Sequence, residues 1–366
     1  MTRSADTLRL ARECMAALPL YAPDPVVCAV DLSDNTNLWG APPAALCAMR
    51  EVPAEALSRY PTLYCEPLRD ALLGYVGLAG VDGIGVVTGC GSDDVLDSTM
   101  RAFGAEGDSI AFSAPTFTMI PMLARLNGLT PVAIPFADDF DLDAERLVDA
   151  GAKITYLCAP NNPTATPVSR AAVEYVVANA HGMVLIDEAY AEFAPDVFAD
   201  LLARNEHVII ARTFSKAFGL AGLRFGYGVG AHGVVRLIER ARGPYKVNAL
   251  AERAVRAALD DTADGLGWVR EHAALAIANR ARLMTEIQQL GLTALPSAAN
   301  FIMVPTPDAA KIYRAMCARG VLVRAFTTMP RDVPVLSASN GAALRIGVGP
   351  WEMMETMLGA LREVIA

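Results

Sequence analysis

The 366-residue chain is 53% apolar and 19% charged, enough to build roughly two domains around a substantial core and too apolar for a disordered polymer. Its net charge of −9, with no Lys/Arg cluster, argues against a nucleic-acid partner. The seven cysteines lie far apart and never form C-x-x-C, and the four histidines are equally dispersed, so the thiols read as reduced and no metal site is expected.

The opening stretch "MTRSADTLRLARECMAAL" carries Arg3, Asp6, Arg9, Arg12 and Glu13, which interrupt the apolar core that a signal peptide needs. No apolar run reaches the ~20 residues of a membrane span. The expectation is a cytoplasmic protein with no membrane partner. Pro19, Pro23, Pro25, Pro42 and Pro43 then suggest an extended arm crossing between two lobes.

From residue 84 two periodicities alternate. Strand-like runs occur at 84–89, 108–116, 129–136, 153–160, 183–190, 207–213 and 225–230, apolar on both faces as in the interior of a mainly parallel sheet. Helical patterns lie between several of them, at 92–104, 117–128 and 169–182. Ser92 or Asp93 is expected to cap the first helix and Ser169 the third, with Gly104, Gly128 and Gly182 closing them. The alternation predicts an α/β sandwich: seven strands with helices on both faces. After about residue 250 the pattern changes to a long helical region, 249–290, interrupted around "DGLG". Then come the strand-like "SAANFIMVP", a helix, "VLVR", "LRIGVG" and a closing amphipathic helix, a smaller α+β domain. The expected division is an N-terminal arm and part of the small domain at 1–45, a large domain at 46–255 and the small C-terminal domain at 256–366.

Four segments of the larger domain carry polar chemistry. "TGCGSDDVL" (88–96) puts glycines and a hydroxyl where a strand enters a helix, whose first N–H groups favour a phosphate; a plain capped turn reads equally well. "CAPNNPTATP" ends a strand with Asn161 and Asn162, at the strand end where open α/β sheets bind ligands, or in an ordinary Asn-Pro turn. "VLIDEAYAEF" drives an apolar strand into Asp187 and Glu188, with Tyr190 close behind. A carboxylate there demands a cation or several donors, and a structural ion pair is the simpler alternative. "RTFSKAFGLAGLRFGYG" (212–228) holds Lys216 beside Thr213 and Ser215, with Arg224 eight residues on; its bland reading is a solvated surface lysine.

One ligand would use all four. Its phosphate would take the "GSDD" helix start, Ser215 and Arg224, and its cationic aromatic nitrogen would take Asp187. Its phenolate oxygen would take Asn162 and Tyr190, and its aldehyde carbon Lys216. That ligand is pyridoxal 5′-phosphate (PLP).

The segments "RYPTLYCEPLRDAL", "TGCGSDDVLD", "APTFTM", "APNNPT", "IDEAYAEF", "RTFSKAFGLAGLRFGY", "ANFIMV" and "LRIGVG" span residues 59 to 349. In this order they resemble the fold-type I, class I/II PLP-dependent aminotransferases, most of all the histidinol-phosphate aminotransferase group. The resemblance implies an enzyme of amino-acid biosynthesis. Its reaction would move an amino group between an aromatic or phosphorylated amino compound and 2-oxoglutarate. Lys216 would form the Schiff base with PLP and then move the Cα proton. Asp187 would keep the pyridine nitrogen protonated, Tyr190 and Asn162 would hold the ring oxygen, and Phe117 would stack on the ring. Phosphate donors would be backbone groups at Ser92 and Asp93, with Ser215 and Arg224. Tyr60 of "RYP" would reach the phosphate in a neighbouring subunit, implying a homodimer with shared sites. Arg345 would clamp the substrate carboxylate, with Arg324 and Asn37 also facing substrate.

The chain departs from the family pattern in several places. "LSDNTNLWG" carries Thr36 where the family has an acid and Leu38 where it has proline. Ala165 replaces a usual glycine, and the stretch between Arg324 and Arg345 is long. Two other readings stand beside the transaminase. One is a different PLP reaction on the same fold, such as a phospho-amino-acid decarboxylase or a lyase. The other is a non-catalytic PLP-binding regulator, which the absence of a preceding helix-turn-helix disfavours.

Overall fold

The computed structural model describes residues 10–16, 18–20 and 26–365. The opening charges Arg3, Asp6 and Arg9 and the arm prolines Pro23 and Pro25 lie outside the described residues.

The described residues form twelve strands, numbered in chain order. All seven strand-like runs of the larger domain form strands: β2 (Ile84–Cys90), β3 (Ser109–Ala114), β4 (Thr130–Pro135), β5 (Ile154–Cys158), β6 (Met183–Asp187), β7 (Val208–Thr213) and β8 (Phe225–Ala231). They make one sheet in the order β2-β8-β7-β6-β5-β3-β4. β8 runs antiparallel to both neighbours, and the remaining pairs are parallel. The central strands β5 to β8 are buried on both faces. β4 is not: it is an edge strand, part exposed, and Pro131 and Pro135 cost little where a neighbouring strand is missing.

Side chains alternate between two core clusters, one on each face of the sheet. Tyr156 and Leu185 join one, and Leu157 and Ile186 the other. Connections between successive strands carry the helices Ser92–Phe103, Met119–Leu126, Ala144–Asp149 and Arg170–Asn179. Because β2, β3, β5, β6 and β7 point the same way, their carboxyl ends share one rim, and β8 starts there, with Cys90 opposite Phe225 and Thr213 opposite Gly226.

The helix ends differ from expectation. Ser169 caps its helix, accepting from Ala172 N–H at 3.1 Å. Ser92 and Asp93 do not cap theirs: Gly91 is the N-cap, with φ +79°, and both residues already lie inside the helix. Of the three closing glycines only Gly128 is left-handed. Gly104 and Gly182 are needed for space, since a Cβ would stand 2.5 Å from Leu129 Cδ2 and 2.0 Å from the Lys153 carbonyl oxygen.

The second sheet is β11 (Arg324–Phe326), β12 (Ala343–Gly347) and β9 (Phe301–Pro305), all antiparallel. β1 (Val30–Asp31) pairs in parallel with β10 (Val321–Leu322), attaching the N-terminal segment to this part of the molecule. Leu32, Ile302, Leu344, Ile346 and Met357 belong to a third core cluster beneath it. The long helical region divides at Gly265 into Ala249–Leu259 and Trp268–Gln289. No described helix is long and apolar enough to cross a membrane.

Candidate active site

The shared rim collects the polar residues of all four segments. After β2 the chain enters the helix Ser92–Phe103 through Gly91, and Arg224, just before β8, lies over that glycine. A Cβ at Gly91 would stand 2.5 Å from Arg224 Nη2, and one at Gly226 would stand 2.1 Å from the Ser92 backbone nitrogen. The glycines therefore let a guanidinium and a helix start approach one another. Arg224 is itself left-handed, at φ +52°, which turns its side chain back over the rim. Its Nη1 donates to Ser215 Oγ at 3.4 Å, and its Nη2 is 3.6 Å from the Asp93 carboxylate. Helix N–H groups, a guanidinium and a hydroxyl make a cradle for a phosphate-sized anion.

Lys216 follows β7, half-buried, with Nζ donating to the Asp34 carbonyl at 3.2 Å. Burial first, and then the charge of Arg345, push its amine down to about 8. A neutral, nucleophilic amine is thereby populated near physiological pH. Gly219, at φ +64°, lets the arm lie directly on this loop, because a Cβ there would stand 1.8 Å from the Gly40 carbonyl oxygen.

Asp187 and Glu188 are separated by the pleat. Asp187 ends β6 on one face of the sheet, where Oδ2 accepts from the Tyr156 hydroxyl at 2.8 Å and Oδ1 from Ala189 N–H at 3.1 Å. Burial pushes its carboxyl up to about 6, and the two donors partly offset that. The structural ion pair belongs to Glu188, which meets Arg212 at 2.6 Å with both side chains buried.

Across the rim, Arg345 of β12 donates to Asn162 Oδ1 at 2.8 Å and to the Ser33 carbonyl at 2.6 Å. Phe301 and Phe326 flank its guanidinium at 5.4 and 5.7 Å. Arg324 stands directly opposite Arg345 in the strand register. Tyr190 is buried; its hydroxyl accepts from Asn35 Nδ2 at 3.2 Å, and burial raises its pKa. Asn37 reaches the Ala217 carbonyl at 2.8 Å. Phe117 lies half-buried after β3, against the core cluster that holds Tyr156. Tyr60 is 82% exposed and stacked on Tyr245 with ring centroids 4.7 Å apart.

The arrangement can hold an anion at the helix start, a cationic ring nitrogen at Asp187, a carbonyl carbon at Lys216 and a carboxylate at Arg345. Residues 28–361 match the family of class I and II aminotransferases. The chain belongs to that family. Two relatives are the histidinol-phosphate aminotransferases of Roseiflexus castenholzii and Methylibium petroleiphilum. The first is 37% identical, covering 93% of this chain and 91% of its own. The second is 36% identical, covering 98% and 95%. Among solved structures, the histidinol-phosphate aminotransferase of Sinorhizobium meliloti in complex with pyridoxal-5′-phosphate superimposes with a TM-score of 0.85. It is 26% identical and covers 97% of both chains.

Within this aminotransferase, several contacts escaped sequence reasoning. Tyr156 lies inside an apolar strand and carries no motif. The carbonyls of Ser33 and Asp34 are backbone groups, invisible to residue type. Asn35 sits in the divergent arm segment, between Asp34 and Thr36. Thr36 turns back to bond Asp34 Oδ1 at 2.7 Å, and Leu38 packs on Gly349. Ala165 adopts φ +65° where the family pattern has glycine. Its methyl is fully buried, worth about 0.8 kcal/mol, which offsets much of the roughly 1–2 kcal/mol left-handed cost.

Proposed function

We propose that this aminotransferase binds PLP and transfers an amino group between histidinol phosphate, or a related aromatic or phosphorylated amino compound, and 2-oxoglutarate. One observation carries the reading. A depressed lysine amine, a buried carboxylate and an anion cradle meet on the same rim of the sheet, across from Arg345. The donor set fits PLP: Gly91 and Gly226 lack the Cβ that would collide with Arg224 Nη2 and the Ser92 backbone nitrogen, so a guanidinium and a helix start stand close enough to share one phosphate.

PLP, when bound, supplies an electrophilic aldehyde and a conjugated ring that withdraws electrons from the substrate's Cα. Lys216 would provide the amine for that aldehyde and would carry the Cα proton on Nζ. Asp187 holds a proton at the ring nitrogen by placing a negative charge beside it. Backbone N–H groups at Ser92 and Asp93, with Ser215 and Arg224, would bind the phosphate, Asn162 and Tyr190 would bind the ring oxygen, and Phe117 would cover the ring face. Arg345 orients the substrate carboxylate through its two-pronged fork, with Arg324 and Asn37 on the same side. Tyr60 completes the neighbour's phosphate site in a cytoplasmic homodimer. The arm at 1–45, the large domain at 46–255 and the small domain at 256–366 are the working units.

The test is a panel of amine donors, histidinol phosphate among them, assayed for 2-oxoglutarate-dependent turnover while carbon dioxide release is monitored. Glutamate formation matching donor loss is the expected result. Carbon dioxide release without keto-acid dependence would make the chain a decarboxylase instead, and a protein that takes up no PLP removes the reading altogether.

A further inference from the structure

Asp187 is fully buried, yet the residues around it offer little to keep it charged. The residue just after its strand is Glu188, whose side chain lies on the opposite face, paired with Arg212. β5 contributes Cys158, directly opposite in the register, and Tyr156 two residues before it. The helix Ser92–Phe103 contributes Asp93. Glu188 and Asp93 both disfavour the anion, and burial pushes the Cys158 thiol up to about 12, leaving it neutral. Two groups favour the anion, the Ala189 N–H and the Tyr156 hydroxyl.

Tyr156 reaches Asp187 diagonally. It pairs with Leu185 across β5 and β6, while Cys158 pairs with Asp187, so the tyrosine lies one pleat away on the same face. Only a long side chain spans that diagonal. The ring is fixed in the core cluster on that face, 1% exposed, and Asp187 Oδ2 is its hydroxyl's partner at 2.8 Å. Burial raises the phenol well above its ordinary value, so the proton stays on the tyrosine and the hydroxyl acts as a donor. A phenylalanine would fill the same volume, so packing alone does not require the oxygen.

We infer that Tyr156 is a positioning residue for the amino-transfer reaction: its hydroxyl fixes the Asp187 carboxylate and keeps it ionised, ready for a cationic ring nitrogen. The inference rests on the PLP reading for its catalytic consequence, but the effect on Asp187 is a property of the chain itself.

The experiment follows the Asp187 carboxyl by carbon-13 NMR in full-length protein labelled at aspartate, with Asp187→Asn assigning the signal. It is run in cofactor-free and PLP-loaded forms. Without cofactor, Tyr156→Phe should raise the titration midpoint from about 6 by about one pH unit, because one hydrogen bond to the ionised form is lost. In the loaded enzyme kcat should fall about tenfold, with KM for both substrates within about twofold. Uniform 3-fluorotyrosine, a stronger donor, should shift the midpoint down, which decides the matter even if the phenylalanine variant folds poorly. A midpoint that stays in place in both proteins overturns the inference. If the chain takes up no PLP, the functional reading fails while the cofactor-free titration still decides the role of Tyr156.

Discussion

Arg345 Nη1 donates to Asn162 Oδ1 at 2.8 Å, joining the small antiparallel sheet to the carboxyl end of β5. The residue proposed to grip substrate is thereby held by a residue proposed to grip cofactor. Arg345→Ala should raise KM for 2-oxoglutarate and glutamate about 10²-fold, the loss expected for charge-assisted bonds of about 1.5–3 kcal/mol each. Arg345→Lys should recover only part of this, because an ammonium cannot form the planar fork. Steady-state kinetics on both variants provide the check. Unaltered KM values for the dicarboxylates would move the carboxylate site elsewhere, with Arg324 the next candidate.

The depressed amine of Lys216 sets a pH dependence. In cofactor-free protein, only the neutral amine captures an aldehyde. The rate of PLP uptake into a borohydride-fixable form should therefore rise about tenfold per pH unit and level off above about 8. An ordinary lysine would keep accelerating to 10.5. The folded chain binds fewer protons here than the unfolded chain between those values, so this group's contribution makes stability rise with pH across the same window. Mass spectrometry should find the fixed label on Lys216, and label on another lysine would reassign the nucleophile.

Glu188 and Arg212 form a buried pair behind the site, with side chains 1% and 8% exposed. Arg212→Ala would strand the Glu188 charge and should cost about 3–5 kcal/mol. Exchanging both, Glu188→Leu with Arg212→Met, should cost much less, since neither charge is left alone. Denaturant unfolding of the two variants gives the comparison. Equal losses would mean that the pair supplies its own stability and does not merely avoid a stranded charge.

Tyr60 is exposed and stacked on Tyr245 of its own chain. If it completes the neighbour's site, a Lys216→Ala chain and an impaired Tyr60→Ala chain should complement one another. Co-refolding at equal amounts would put one doubly damaged and one intact site in each mixed dimer, giving about a quarter of wild-type activity with random exchange. No recovery despite proven subunit exchange would remove Tyr60 from any shared site.

Local pattern in the chain determined a great deal about this protein. The seven strands of the large sheet, the helices between them, and the ordered segments around Asn162, Asp187, Lys216 and Arg224 are written in apolar periodicity and in polar residues at strand ends. Each depends on neighbours a few positions away, which is the range over which periodicity carries information. Tertiary structure alone decided which atoms meet. That Tyr156 donates to Asp187 follows from the register of β5 against β6, and that Glu188 takes the ion pair follows from the pleat turning it to the other face. The Ser33 and Asp34 carbonyls reach Arg345 and Lys216 because the arm crosses the rim, and backbone groups leave no mark in residue type. Gly104 and Gly182 look like helix stops in sequence but answer to contacts with Leu129 and Lys153. The Lys216 amine is depressed by burial and by Arg345, 129 positions along the chain, which come into play only once the small antiparallel sheet has packed against the rim of the large one.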